Sequence, residues 1–208
     1  MSKKGFFIAV EGINGSGKTS VLKAIQSDLE SLSIPYIITE EPRGTDVGLA
    51  LWNILHSYKV SARTEALIMS ASRSDHIEKV VVPAMDAGKH VISDRHAAST
   101  FVFQKSDLNF EQWMKLTEYA TNKLEPSRVY ILDIDPVIAA QRSTARNGIS
   151  DKFEELDLTF QYTARDRYLL LAKKSDIYKV INAALEPENV AKIILNDLLN
   201  ILGVTKNS

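Results

Sequence analysis

The sequence predicts an α/β protein in three layers, a five-stranded parallel sheet with helices on both faces. Three observations carry that prediction. Five short runs rich in Val, Ile, Phe and Tyr alternate with longer segments of helical periodicity, the pattern of repeated βαβ units. A glycine-rich loop sits between the first run and the first helix, where such folds bind their ligands. Finally, 208 residues with 45% hydrophobic content suffice for one substantial core. A single domain over residues 1–208 is therefore expected.

Taken in order, Gly5 to Val10 is a near-continuous apolar run suited to a strand buried on both faces. Leu22, Ile25, Leu29 and Leu32 follow at helical spacing, and Ile34 to Thr39 reads as the second strand. After the loop Glu40–Thr45 comes a short helix over Leu49 to Leu55 with Asp46 as its cap. A long helix is expected from about Thr64 to Ala87. Pro83 should kink it and Gly88 should stop it. Lys89 to Ser93 is the third strand and Arg128 to Asp133 the fourth, joined by one helix whose buried stripe is Phe110, Trp113, Met114, Thr117 and Ala120. Asp135-Pro136 opens the next helix as N-cap and first helical residue. Leu156, Phe160, Ala164, Tyr168 and Ala172 mark a further one. Asp176 to Ile181 is the last strand, and Pro187 to Leu202 closes the chain as an amphipathic helix before Gly203.

The glycine-rich loop, Gly12-Ile13-Asn14-Gly15-Ser16-Gly17-Lys18-Thr19, fits G-x-x-x-x-G-K-[ST]. Its glycines let backbone N–H groups turn inward around phosphate oxygens, Lys18 reaches the β- and γ-phosphates, and Thr19 offers a hydroxyl to Mg²⁺. Ser20 completes the ATP-binding segment. The expected fold is thus of the P-loop NTPase type.

Composition excludes several other classes. The net charge of -1 with scattered charges gives no basic face for a nucleic acid polymer. With no cysteine and four scattered histidines, any metal should be oxygen-bound. No secretory leader and no long apolar span are visible, so the protein is expected to be soluble, cytoplasmic and away from membranes.

A phosphate loop alone leaves a switch GTPase, a motor ATPase and a kinase open. No Asn-Lys-x-Asp segment for guanine is present, and arginines at strand ends suit a second, acceptor phosphate through bidentate hydrogen bonds. That arrangement points to a nucleotide kinase.

The ordered set of phosphate loop, Glu41-Pro42-x-Gly44-Thr45, Ala71-x-Arg73, Asp94-Arg95-His96-x-x-Ser99-Thr100 with Gln104, and Leu132-Asp133-x-x-Pro136 leading to Arg142-x-x-x-Arg146 resembles the thymidylate kinase family over nearly the whole chain. The resemblance implies transfer of the ATP γ-phosphoryl group to dTMP with Mg²⁺, in a homodimer. It further implies that Lys18, Arg95, Arg142 and Arg146 serve catalysis, and that Thr19 and Asp94 hold the metal. Glu41, Arg43, Met69, Arg73, Arg95, Ser99, Thr100 and Gln104 would bind the acceptor. Arg142 and Arg146 lie four apart on one helical face, where an intervening anion removes their repulsion. With Asn147-Gly148 after them, residues 142–153 resemble a lid that brings arginine to ATP. His96 is read as positioning or packing.

Three positions depart from the family pattern. Asn14 replaces an acidic residue, Trp52 stands where an arginine for the acceptor phosphate is expected, with Arg43 as its substitute, and Met69 replaces a stacking phenylalanine. The residues therefore leave two other readings open: a kinase with another or a broader range of monophosphate acceptors, and a non-catalytic nucleotide-binding descendant.

Overall fold

The computed structural model describes residues 4–104, 108–144 and 157–202. Its elements run β1 (Phe7–Glu11), α1 (Lys18–Ser31), β2 (Tyr36–Glu40), α2 (Asp46–Ser57), α3 (Ala62–His76), α4 (Val82–Asp86), β3 (His90–Asp94), α5 (Ala97–Phe103), α6 (Phe110–Ala120), β4 (Arg128–Asp133), α7 (Pro136–Thr144), α8 (Leu158–Ala172), β5 (Tyr178–Asn182) and α9 (Pro187–Leu202). The strands form one sheet in the order β2-β3-β1-β4-β5, every pairing parallel. This is the expected α/β architecture.

Alternation along β1 distributes its side chains to the two faces. Phe7, with Val91 of β3, joins a cluster containing Ile77, Val81 and Met85, whereas Ile8 and Val10 belong to the main core with Val21, Ile25 and Leu29 of α1 and Val190 and Ile194 of α9. Because β1 is central and fully buried, its carboxyl end opens beneath both flanking strands. A ligand cleft belongs there.

Local differences from expectation have physical causes. The strand limits shift by one or two residues at β1, β2, β3 and β5, and only β4 keeps its expected bounds. Helix α2 starts earlier, at Asp46, and its cap is Thr45, whose Oγ1 accepts from the Gly48 N–H at 2.9 Å; Asp46 occupies the first turn. Leu32, expected on the buried face of α1, is instead its exposed C-cap.

The long helix expected over 64–87 occurs as one unbroken helical run from Ala62 to Asp86, since His76, Ile77, Val81 and Val82 all keep right-handed helical backbone. What differs is a π-turn over Ile77–Val81 between α3 and α4, where the Val82 N–H reaches back five residues to the Ile77 carbonyl just before Pro83. Between β3 and β4, by contrast, there are two helices, not one. Gln104 leaves α5 in an extended conformation, and Asn109 starts α6 through a reciprocal capping box with Gln112. Trp113 and Ala120 are the buried part of the stripe on α6. Leu156 and Gly203 lie outside the described residues.

Candidate active site

The phosphate loop follows β1 and enters α1 at Lys18. Gly15 (φ 79°) lies so close to α7 that a Cβ there would come within 2.1 Å of the Ala139 carbonyl oxygen. Gly17 is the left-handed N-cap of α1 (φ 91°), and a Cβ there would meet Arg142 Nη1 at 4.0 Å. Helix α7 thus brings Arg142 beside the loop. The same Nη1 donates to the Ala183 carbonyl at 2.8 Å, which anchors the guanidinium there. The free N–H groups and positive end of α1 favour an anion at this spot.

A cleft of about 920 Å³, measured to its open mouth, runs from the loop toward α2, α3 and α5. Asn14, Gly15, Lys18, Thr19, Asp94 and Arg95 line one end; Glu41, Arg43, Met69, Ser99 and Gln104 line the rest. Thr19 is exposed to it, and the Lys18 ammonium is buried 3.4 Å from the Gly12 carbonyl. The other loop members stay out of the lining. Ile13 points its side chain into the core, Gly12 and Ser16 contribute loop backbone, and Ser20 is exposed on the first turn of α1. Arg73 and Thr100 are buried just behind the wall, bonded to each other at 3.0 Å. Arg146, and residues 145–153 of the lid expected over 142–153, lie outside the described residues.

Arg95 adopts φ 71° directly after β3, which turns its side chain back over β1. It donates to the Gly12 carbonyl at 3.1 Å, to Asn14 Oδ1 at 2.5 Å and to Ser99 Oγ at 3.2 Å, and its guanidinium carbon stands 4.9 Å from the Phe103 ring. The loop and the α5 wall are therefore bridged by one cation. Asp94, in register with Val10 and Glu40, has a buried Oδ1 with no hydrogen-bond partner. That orphaned oxygen and the Thr19 hydroxyl suit Mg²⁺, a hard cation that takes one or two protein oxygens beside phosphates and waters.

The turn after β2 is built differently from the exposed loop that its composition suggests. Glu41 is buried and accepts from Arg73 Nε at 2.9 Å, His96 Nδ1 at 2.9 Å and His76 Nδ1 at 3.3 Å. Burial raises its carboxyl pKa, but the charges of Arg73 and His96 and the bonds from both histidines outweigh that, holding it well below the usual range. Arg43 and Glu40 form a partly exposed pair at 2.9 Å within the lining. Trp52 also lines the cleft, tilted over His56 at 4.4 Å.

Sequence reasoning missed Glu11. Its carboxylate is fully buried at the end of β1 and accepts from the His96 N–H (2.8 Å), the Ser99 N–H (3.1 Å), Ser99 Oγ (2.7 Å) and Tyr168 OH (2.8 Å). It satisfies the open N-terminal amides of α5 and so fixes Ser99. Burial and the Glu11 charge push the Tyr168 hydroxyl well above its ordinary pKa, keeping it a donor. The available signal was a lone charged residue closing an otherwise apolar strand just before Gly12.

Fold, phosphate loop and a cleft continuing from it toward a second ligand wall define a P-loop nucleotide kinase. Comparison with known proteins narrows the class. The family model described as thymidylate kinase matches residues 10–194, and the chain belongs to that family. It is 38% identical over 208 residues to the thymidylate kinase of Ligilactobacillus salivarius (strain UCC118), covering 96% of this chain and 98% of that protein. To the thymidylate kinase of Ralstonia pickettii (strain 12J) it is 37% identical over 206 residues, with coverage of 96% and 98%. To that of Mycoplasmoides gallisepticum (strain R(low / passage 15 / clone 2)) the identity is 34% over 200 residues, with coverage of 93% and 94%. Among the described residues, no helix is long and apolar enough to cross a membrane.

Proposed function

We propose that the protein transfers the γ-phosphoryl group of ATP to dTMP, giving dTDP and ADP for dTTP biosynthesis in the cytoplasm. The observation that carries this reading is Arg95, hydrogen-bonded at once to the phosphate loop and to Ser99 of the second wall. A cation at that junction can neutralise charge on the group passing between two phosphates. A phosphate oxygen of dTMP attacks the γ-phosphorus, the bond from that phosphorus to the β,γ-bridging oxygen breaks, and ADP leaves. The attacking oxygen is already anionic, so no general base is needed.

Lys18 and the loop amides would hold the ATP phosphates, Arg142 would add charge from α7, and Arg43 would meet the acceptor phosphate where Trp52 replaces an arginine. Thr19 and Asp94 would hold Mg²⁺, which when bound neutralises phosphate charge. Two buried groups near the acceptor wall favour a thymine edge. Arg73 Nη1, a donor, and Gln104 Oε1, an acceptor, both lack protein partners. Thymine offers a 4-carbonyl acceptor and an N3–H donor to match, while cytosine reverses both. Leaving such groups unpaired is costly, so a site built on them discriminates strongly.

A coupled ADP-release assay across the deoxy- and ribonucleoside monophosphates tests the assignment. dTMP is expected to lead, with dCMP at least about 10²-fold lower in kcat/KM. If another monophosphate outpaces dTMP by more than about tenfold, the thymidylate assignment fails and the broader-acceptor reading, favoured by Met69 and Trp52 in the lining, replaces it. ATP binding without turnover on any acceptor would establish a non-catalytic descendant.

We further propose a homodimer. Val47 and Ile54 are exposed on α2 and Tyr58 just after it, and Leu67 is exposed on the neighbouring α3, apolar surface that a second copy would cover. Sedimentation of the wild type is expected at the mass of two chains, and Ile54→Glu should shift it to one. A monomeric wild type would end this proposal.

A further inference from the structure

We infer that Glu40 is a positioning residue that competes with the acceptor phosphate for Arg43: it holds the guanidinium in the free protein, yields it when dTMP arrives and reclaims it as dTDP leaves. This rests on the reading of Arg43 as the cation that meets the acceptor phosphate. Glu40 ends β2, Arg43 follows three residues later, and both line the cleft. Arg43 Nη2 donates to Glu40 Oε2 at 2.9 Å. That is a one-pronged pair, with the two side chains 47% and 44% exposed.

The backbone between them is held independently of the pair. The Glu41 N–H donates to the Asp94 carbonyl at 3.0 Å, the Pro42 carbonyl accepts from Ser72 Oγ at 2.7 Å, and the Glu41 carboxylate is bonded to Arg73 at 2.9 Å. Arg43 can therefore change partner by side-chain rotation alone. The turn itself stays in place.

The balance between the two partners follows from their chemistry. An exposed, single-pronged ion pair biases a side chain by at most about fivefold. A phosphate dianion offers a guanidinium two oxygens at once and carries more charge, so it wins the exchange. Glu40 is also the register partner of Asp94 on β3, and both carboxylates line the same cleft. Two like charges at neighbouring strand ends favour a cation between phosphate-binding events, which draws Arg43 back. Acceptor and product are thus both held less tightly than Arg43 alone would hold them.

A double-mutant cycle tests this, with dissociation constants measured in the absence of ATP for dTMP, dTDP and thymidine, the last lacking any phosphate. Glu40→Gln should tighten dTMP and dTDP by about three- to fivefold. Arg43→Ala should weaken both by at least about tenfold. Added to Arg43→Ala, the Glu40→Gln change should alter either constant by less than about 1.5-fold, and thymidine should bind all four proteins within about twofold. An equal gain in both backgrounds would make Glu40 a distant charge only. A loss of dTMP affinity in Glu40→Gln would make it a support for Arg43, and a matching change for thymidine would make it a structural member of the turn. Each of these three results overturns the proposal. If Arg43→Ala binds dTMP as the wild type does, the phosphate reading of Arg43 has failed and the proposal falls with it. A measurement on the unaltered protein covers the case of poorly folding variants. Crystals grown with thymidine should keep Arg43 on Glu40, and crystals grown with dTMP should show it on the phosphate. An intact Arg43–Glu40 pair beside bound dTMP would overturn the proposal.

Discussion

Lys18→Met should lower kcat for phosphoryl transfer by at least about 10²–10³-fold, the loss typical of removing one preorganised charge from a transition state. The substitution keeps the aliphatic stem, and the residue is buried at the start of α1, so methionine occupies similar space without the ammonium. The fold should survive, with a thermal midpoint within a few degrees of the wild type. A coupled ADP-release assay beside a melting curve reads both quantities. Activity above about one tenth of wild type would remove Lys18 from the chemistry. Should the protein fail to fold instead, Lys18 serves the architecture of the loop through its contact with the Gly12 carbonyl.

Glu41→Gln carries the largest expected effect on stability, about 3–5 kcal/mol at neutral pH, because it strips the anionic partner from a buried Arg73. The amide also presents hydrogens to a site where three donors already converge. Its pH dependence follows from the depressed carboxyl pKa in the folded protein. A carboxyl lowered by folding stabilises fully above its unfolded value, near about 4.3, and loses that contribution as pH falls through the folded value. Urea unfolding of wild type and variant should therefore differ most at pH 6–7, with the gap narrowing only below about pH 4. An equal gap at every pH, or a difference under about 1 kcal/mol at pH 7, would mean that the carboxylate charge contributes nothing net.

How much of this could be read from the chain varies with the range of the interaction. The strand–loop–helix unit from Phe7 to Ile25 is local, each signal lying within a few residues of the next, and it emerges as expected. The five strands do too: β1, β3 and β4 are largely buried, so they read as apolar runs, and the half-buried edge strands β2 and β5 still carry short β-branched stretches. The long helix over α3 and α4 also emerges, but its π-turn was missed, because Pro83 reads only as a kink and no pattern in Ile77–Val81 announces the extra residue.

At the cleft, Lys18, Thr19, Asp94, Arg95, Ser99 and Gln104 do come together. Glu41 reads locally as a loop carboxylate, whereas its partners Arg73, His76 and His96 come from 32 to 55 positions away. Glu11 was invisible for the same reason, since Tyr168 lies 157 positions along the chain. Buried polar networks are specified by three-dimensional convergence, which periodicity does not encode.

The Glu11 network limits how the molecule can bend. Because one carboxylate fastens the end of the first strand to α5 and α8, and Glu41 fastens the turn before α2 to α3 and His96, a displacement of any one of these pieces is expected to drag the others with it.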